Sequence, residues 1–329
     1  MLTKKAFKQR ALALGATVCG VGSLNEFKNE IPQRDPKKIL PNAKCIIEFG
    51  FSVPKGIYKA LEGGAQSYTY TTLGVKYLDE EFAEIFLLKI GALIENEGYD
   101  ACLQKSIPNL RIQGDKTTNP EVLNTYELIH AEAVEAGKPV PDVMIDFGKA
   151  AKACGIGQQG LSGKILNRQH SPFMRYCFII SDIPFEPDEI LPEDIHICDN
   201  CQECVKACPG KAISKNGTRD PWQCAVYYNG ANGTKNPFMP PDAFADLPDR
   251  TSIITGNKHL TPEQARKVLN EIYFCPPAQH AYQCSICGRA CDTACYIHLE
   301  QNGLLKRKFK KPFRTREPWQ FCADDFKTE

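Results

Sequence analysis

Four cysteines within eleven residues, Cys198, Cys201, Cys204 and Cys208, form an unbroken C-x2-C-x2-C-x3-C run closed by Pro209. Thiolates at spacings of two can grip three corners of an iron–sulfur cubane, while the fourth, followed by proline, points away toward a second cluster. Zinc sites pair two short C-x2-C knuckles across a long gap and do not need this density of ligands. The run therefore reads as a [4Fe–4S] motif. A second set, Cys284, Cys287 and Cys291, has C-x2-C-x3-C spacing and is one ligand short. Exchange of the last cysteines assigns Cys198, Cys201, Cys204 and Cys291 to one cluster. The other takes Cys208, Cys284, Cys287 and a distant thiolate, with Cys224 the nearest candidate and Cys275 and Cys295 its rivals.

Sixteen cysteines among 329 residues fall short of the roughly 8–10% of disulfide scaffolds, so the count points to metal. Cys19, Cys45, Cys102, Cys154, Cys177 and Cys322 sit mostly in apolar segments and read as small buried hydrophobes. Cys154 stands apart because it abuts Gly155-Ile-Gly157-Gln-Gln-Gly160. That glycine run has dinucleotide-fingerprint spacing, but the fingerprint requires a strand before it and a helix after it. Here Lys149 to Cys154 reads as helix and Ile165-Leu166 as extended, which reverses the order and argues against NAD. Just upstream, Asp146 ends the apolar run from Val143. A desolvated carboxylate at a strand end keeps a proton near neutrality and can act as an acid; equally, Asp146 can cap the helix that follows.

The elements that must position these groups read as α/β (α+β). At about 150 residues per domain the length predicts roughly two domains. Hydrophobic residues at 43%, charged residues at 24% and a net charge of +1 are those of an ordinary globular protein with no global field for nucleic acid or lipid. Lys4 to Arg10 before an apolar run superficially resembles a secretory signal, but Phe7, Ala11 and Leu14 at helical spacing, Gly15 as C-cap and a strand Thr17–Val21 describe a mature, cytoplasmic start. The pattern continues with a strand Lys44–Phe49, an amphipathic helix Leu78–Glu97, a loop Ser106–Asn119 and a helix Pro120–Ala136. A turn at Pro139–Pro141 precedes a strand Val143–Asp146, and another strand spans Arg175–Ser181. Residues 1–192 form the first unit and 193–300 the cysteine module, with a 229–280 insertion too long for a simple turn. Residues 301–329 form a basic C-terminal tail.

The segment from Val143 through Asp146, Gly155, Gly157, Gly160, Arg168, Asp182-Ile-Pro184 and Glu186-Pro-Asp188 into the first cysteine run resembles the epoxyqueuosine reductase family. More distantly, it is similar to the reductive dehalogenases of the same superfamily. The resemblance implies a nitroreductase-like domain binding base-off cobalamin, with a ferredoxin-like module whose two [4Fe–4S] clusters feed electrons to cobalt. It implies that Cys224 is a ligand, that Asp146 is the acid, and that the loop of Gly155, Gly157 and Gly160 approaches the corrin. It also implies a low-potential donor such as ferredoxin or flavodoxin. Two departures stand out. Leu161 occupies the position where the family has Lys or Arg, with Lys164 three residues on, and no protein histidine is available beneath cobalt.

Lys306, Arg307, Lys308, Lys310, Lys311, Arg314 and Arg316, interleaved with Phe309 and Phe313, could grip tRNA phosphates or simply form a solvated tail. Tyr68, Tyr70, Tyr77, Tyr227 and Tyr228 could donate protons or stack on a flat cofactor, although core packing is their commoner role. His170 and His196, beside the loop and the first cluster, read as surface or structural. The expected activity is a cobalamin-dependent reductase resembling epoxyqueuosine reductase. The alternatives are a dehalogenase-like reductase of a small organic molecule and a non-catalytic electron-transfer protein or corrinoid-protein activator.

Overall fold

A computed structural model describes residues 2–30, 34–105, 110–113, 125–128, 143, 145–190, 196–272 and 286–321. Helix α1 (Lys4–Ala13) is capped by Thr3, whose hydroxyl accepts the Ala6 N–H, and it buries Phe7 and Ala11. Gly15, at φ +112°, turns the chain into β1 (Val18–Ser23). The next strand, β2 (Cys45–Ser52), is buried along nearly its whole length. Helix α2 (Lys55–Glu62) and a single turn α3 (Thr69–Thr71) lead into a π-helical stretch, Thr72–Phe82, and then α4 (Ala83–Glu95). The helix expected at Leu78–Glu97 is therefore wound in two modes. Apolar periodicity marks a helix but does not report its pitch.

Strand β3 (Ala101–Lys105) follows. Two differences from expectation come next. The loop expected at 106–119 contains β4 (Leu110–Gln113), and the helix expected at 120–136 contains β5 (Thr125–Leu128). These pair antiparallel from Leu110 opposite Leu128 to Gln113 opposite Thr125. Pairing between segments distant in sequence overrides local propensity, which is how a helix-like pattern becomes a strand. The rest of both intervals and the Pro139–Pro141 turn lie outside the described residues. Among its described residues, the strand expected at Val143–Asp146 joins no sheet. Val143 and Ile145 are buried, Met144 is outside the described residues, and the contact to β3 is a side-chain one, with Gln104 Nε2 donating to the Val143 carbonyl at 3.0 Å.

Helix α5 (Phe147–Ala153), the short hairpin β6 (Gln158–Gln159) and β7 (Ile165–Leu166), and β8 (Met174–Ser181) complete the first half. The main sheet has the order β1-β2-β8-β3, with every pair antiparallel. Its central strands are apolar on both faces because both faces are covered. On one, Phe7, Phe49, Phe86 and Ile90 join α1 and α4 to the sheet; on the other, Ile46, Tyr176, Phe178 and Ile180 pack beneath α5.

The cysteine-rich half carries α6 (Glu203–Ala207), α7 (Pro221–Asn229), α8 (Arg250–Ile254), α9 (Pro262–Glu271) and α10 (Ala290–Gln301). Helices α7 to α9 build a core of their own around Trp222, Tyr227, Phe244 and Leu269. A further core binds the halves together. Tyr58, Phe173 and Tyr296 stack at ring separations of 3.8 and 4.5 Å, and Phe313 closes on them at 5.8 Å from Phe173. The basic C-terminal segment is thus anchored by buried Leu305 and Phe313 rather than wholly solvated. Among the described residues, no helix is long and apolar enough to cross a membrane.

Candidate metal centre

The first cysteine loop and α10 meet at a recess lined by Cys198, Cys201, Cys204 and Cys295 together with Gly160, Leu161, His298 and Leu299. The Leu161 N–H donates to Cys198 Sγ at 3.4 Å, and the Ala212 N–H donates to Cys208 Sγ at 3.3 Å. Both are contacts that stabilise thiolate sulfur. Backbone conformation explains how four cysteines are delivered from so short a segment. Asn200 and Gln202 adopt positive φ, curling the chain so that Cys198, Cys201 and Cys204 face inward. Helix α6 then ends where Cys208 turns extended (φ −69°, ψ 113°), as the residue before a proline must. His298 Nε2 lies 2.7 Å from Asp199 Oδ2, tying α10 to the loop.

Cys291 is not part of that recess. Its thiol donates to Asp292 Oδ1 at 3.6 Å, and burial followed by the Asp292 charge pushes it well above an ordinary thiol, with Cys287 and Lys164 among its further neighbours. Burial and then the Asp292 charge also raise Cys295, and the thiols of Cys204, Cys198 and Cys201 add to the effect. Cys208 and Cys224 are neighbours: burial raises Cys208, and the Cys224 thiol adds to the effect. Cys287 borders a cavity of about 210 Å³ between α2, the second cysteine set and the C-terminal segment. Cys284 and Cys275 lie outside the described residues.

The carboxylate of Asp146 caps α5. Its Oδ1 accepts the Lys149 N–H at 3.0 Å, and its Oδ2 is 3.8 Å from Arg34. The glycine loop is accounted for by its own packing. A Cβ on Gly155 (φ +64°) would sit 2.3 Å from the Glu189 carbonyl, one on Gly157 2.7 Å from Ile165, and one on Gly160 2.7 Å from Leu166. The helix before it and the hairpin strand after it stand in the order that argues against a dinucleotide site. Cys154 is a buried thiol donating to the Ile46 carbonyl at 3.5 Å. Tyr70 and Tyr227 are core residues; the Tyr227 hydroxyl donates to the Ile253 carbonyl at 2.7 Å. The exposed Tyr77 and His196 make no contact with the recess, and His170 faces Arg307 at 3.3 Å.

Two groups of consequence were not singled out from the sequence. Glu48, in the middle of β2, is fully buried with neither carboxylate oxygen hydrogen-bonded among the described residues. Burial, and then the charge of Asp146, push its pKa well up. An acidic residue inside an otherwise apolar strand was the available signal. The second group is an interior set of charges. Arg175 forms a two-pronged ion pair with both oxygens of Asp79, and Arg289 donates from two nitrogens to the single oxygen Oδ2 of Asp292. Lys164 makes no ion pair among the described residues, and burial followed by repulsion from Arg289 lowers it to about 8.

No protein-family model matches the chain. Among curated proteins it is 31% identical to the epoxyqueuosine reductase of Listeria monocytogenes over 150 residues, covering 43% of this chain and 32% of that one. It is 26% identical to the enzyme of the same name from Staphylococcus aureus over 176 residues, covering 50% and 36%. The chain is thus a sequence relative of the epoxyqueuosine reductases, as its motifs imply, and spans about a third of the length of these relatives. Among solved structures, a catabolic reductive dehalogenase in complex with 3-bromo-4-hydroxybenzoic acid aligns with a TM-score of 0.48 at 16% identity, covering 84% of this chain and 34% of that one.

Proposed function

We propose that this relative of the epoxyqueuosine reductases is an oxidoreductase holding two [4Fe–4S] clusters and using cobalamin to reduce an epoxide-bearing nucleoside in tRNA. The observation that carries the reading is the convergence of four thiols on one recess with a backbone N–H already donated to sulfur, a donor set that suits iron–sulfur or zinc, with the C-x2-C-x2-C-x3-C-P spacing favouring iron–sulfur. When bound, the clusters would supply low-potential single electrons and cobalamin a reducing cobalt centre. The protein's own part is to hold sulfur ligands by main-chain curvature and to moderate their charge with N–H donors, which is one of the levers on cluster potential.

Cys198, Cys201 and Cys204 supply one ligand set and Cys208, Cys224, Cys284 and Cys287 the other. Asp146 is the proposed proton donor, with one carboxylate oxygen accepting in the cap and the other 3.8 Å from Arg34. Cobalamin enters the proposal through the sequence relationship alone. The glycine loop is packed against the chain's own atoms and forms no cradle for a corrin among the described residues. The tRNA part rests on the strip Lys306–Arg316. Its basic side chains are exposed while Leu305 and Phe313 are buried beneath them, an arrangement that holds cations in register for phosphates.

Anaerobic loading with iron, sulfide and cobalamin, followed by metal counting and visible spectroscopy, tests the reading. It requires about eight irons per chain and a cobalamin spectrum shifted to the base-off form. A chain that binds no iron would refute it. Filter binding of tRNA should weaken when Lys308, Lys310 and Lys311 are all changed to Glu; unchanged binding would favour a small organic substrate.

A further inference from the structure

We infer that the fourth thiolate of the first cluster is Cys295, one helical turn beyond the position that the cysteine spacing suggests. This deepens the proposed function and rests on its iron–sulfur part. In the first motif, the exported ligand Cys208 is freed from its helix because Pro209 follows and forces the chain out of the α conformation. Cys291 has Asp292 after it instead of proline, so nothing stops the helix. Arg289, at φ +50°, starts α10, which then runs unbroken from Ala290 through Cys291 and Cys295 to Gln301.

Cys291 therefore stays in the first turn, its thiol on Asp292 and its neighbours Cys287 and Lys164. Four residues along the same helix is about 6 Å of rise, which sets the Cys295 side chain one turn nearer the first loop than that of Cys291. The face that reaches the first loop bears Cys295, His298 and Leu299, all three lining the recess with Cys198, Cys201 and Cys204. The 2.7 Å contact of His298 with Asp199 fixes this helical phase independently of any cysteine.

The test is electron paramagnetic resonance with iron counting on full-length protein loaded anaerobically. Cys204→Ala defines the signal of the first cluster by its loss. Cys295→Ala should remove that same signal and about four of about eight irons, with the far-ultraviolet circular dichroism unchanged, and Cys291→Ala should retain it. Should alanine at 295 unfold the chain, Cys295→Ser supplies a weaker ligand and should retain the cluster with shifted g-values. A serine variant with the wild-type spectrum overturns the assignment, as does loss of the first-cluster signal in Cys291→Ala. Failure of the wild-type chain to take up iron would instead refute the proposed function itself, so the two failures are distinguishable.

Discussion

Glu48 makes a sharp prediction about stability, because a carboxylate wholly inside the sheet, with both oxygens unpartnered among the described residues, must be neutral. Its register neighbours are Gly20 on β1 and Phe178 on β8, and the end of α5 closes over it. In the unfolded chain the group titrates near 4.5; in the native chain burial raises it. The native state therefore binds the extra proton, so the stability due to neutral Glu48 is complete below about 4.5 and is lost as pH rises. The slope is about 1.36 kcal/mol per pH unit over the interval, above about pH 4.5, in which the native carboxyl stays protonated. Glu48→Gln keeps the shape and removes the titration. Urea unfolding of both proteins across that interval should show wild type losing stability relative to the variant at that slope. Other titrating groups cancel in the difference. Parallel curves would refute the claim that this carboxyl is held neutral.

Three further outcomes follow from single contacts. Gly20→Ala should destabilise by about 1–3 kcal/mol or more in thermal unfolding, because its Cβ would lie 2.1 Å from the Cys154 carbonyl oxygen, a backbone atom that cannot swing away. Phe313→Ala should cost about 3–5 kcal/mol in urea unfolding and expose Lys306–Lys311 to trypsin, since Phe313 is 1% exposed and anchors that segment. Asp146→Asn keeps an acceptor for the Lys149 N–H, so stability should hold while turnover on epoxide-bearing tRNA falls by about 10²–10⁴-fold. Undiminished turnover would assign Asp146 to the cap alone.

What the sequence made legible has a common physical character. Strands β2 and β8 were readable because each is a short apolar run bounded by proline or polar residues, and helix α1 because Phe7 and Ala11 fall at helical spacing ahead of Gly15. β4 and β5 were not, because their partner lies elsewhere in the chain and helical propensity around Thr125 says nothing about it. The isolated segment at Val143 shows the converse: an apolar run can be buried without joining a ladder when the sheet edge offers it a side chain, Gln104, in place of a backbone partner.

The cysteines divide in the same way. Spacing within Cys198–Cys204 determines ligand geometry because a curled loop of seven residues has few conformations that bring three thiols together. Which thiol on α10 completes the set depends instead on the rotational phase of a helix docked from a distant part of the chain. That phase is set by contacts with no cysteine in them, among them His298 against Asp199 and Tyr296 against Phe173. Cys291 and Cys295 share a stripe at i and i+4, and spacing, which points to Cys291, cannot decide which of them reaches the recess. The start of α10 at Ala290 and the absence of a helix-breaking proline after Cys291 can, because together they keep Cys291 at the near end of the helix and carry Cys295 to the recess.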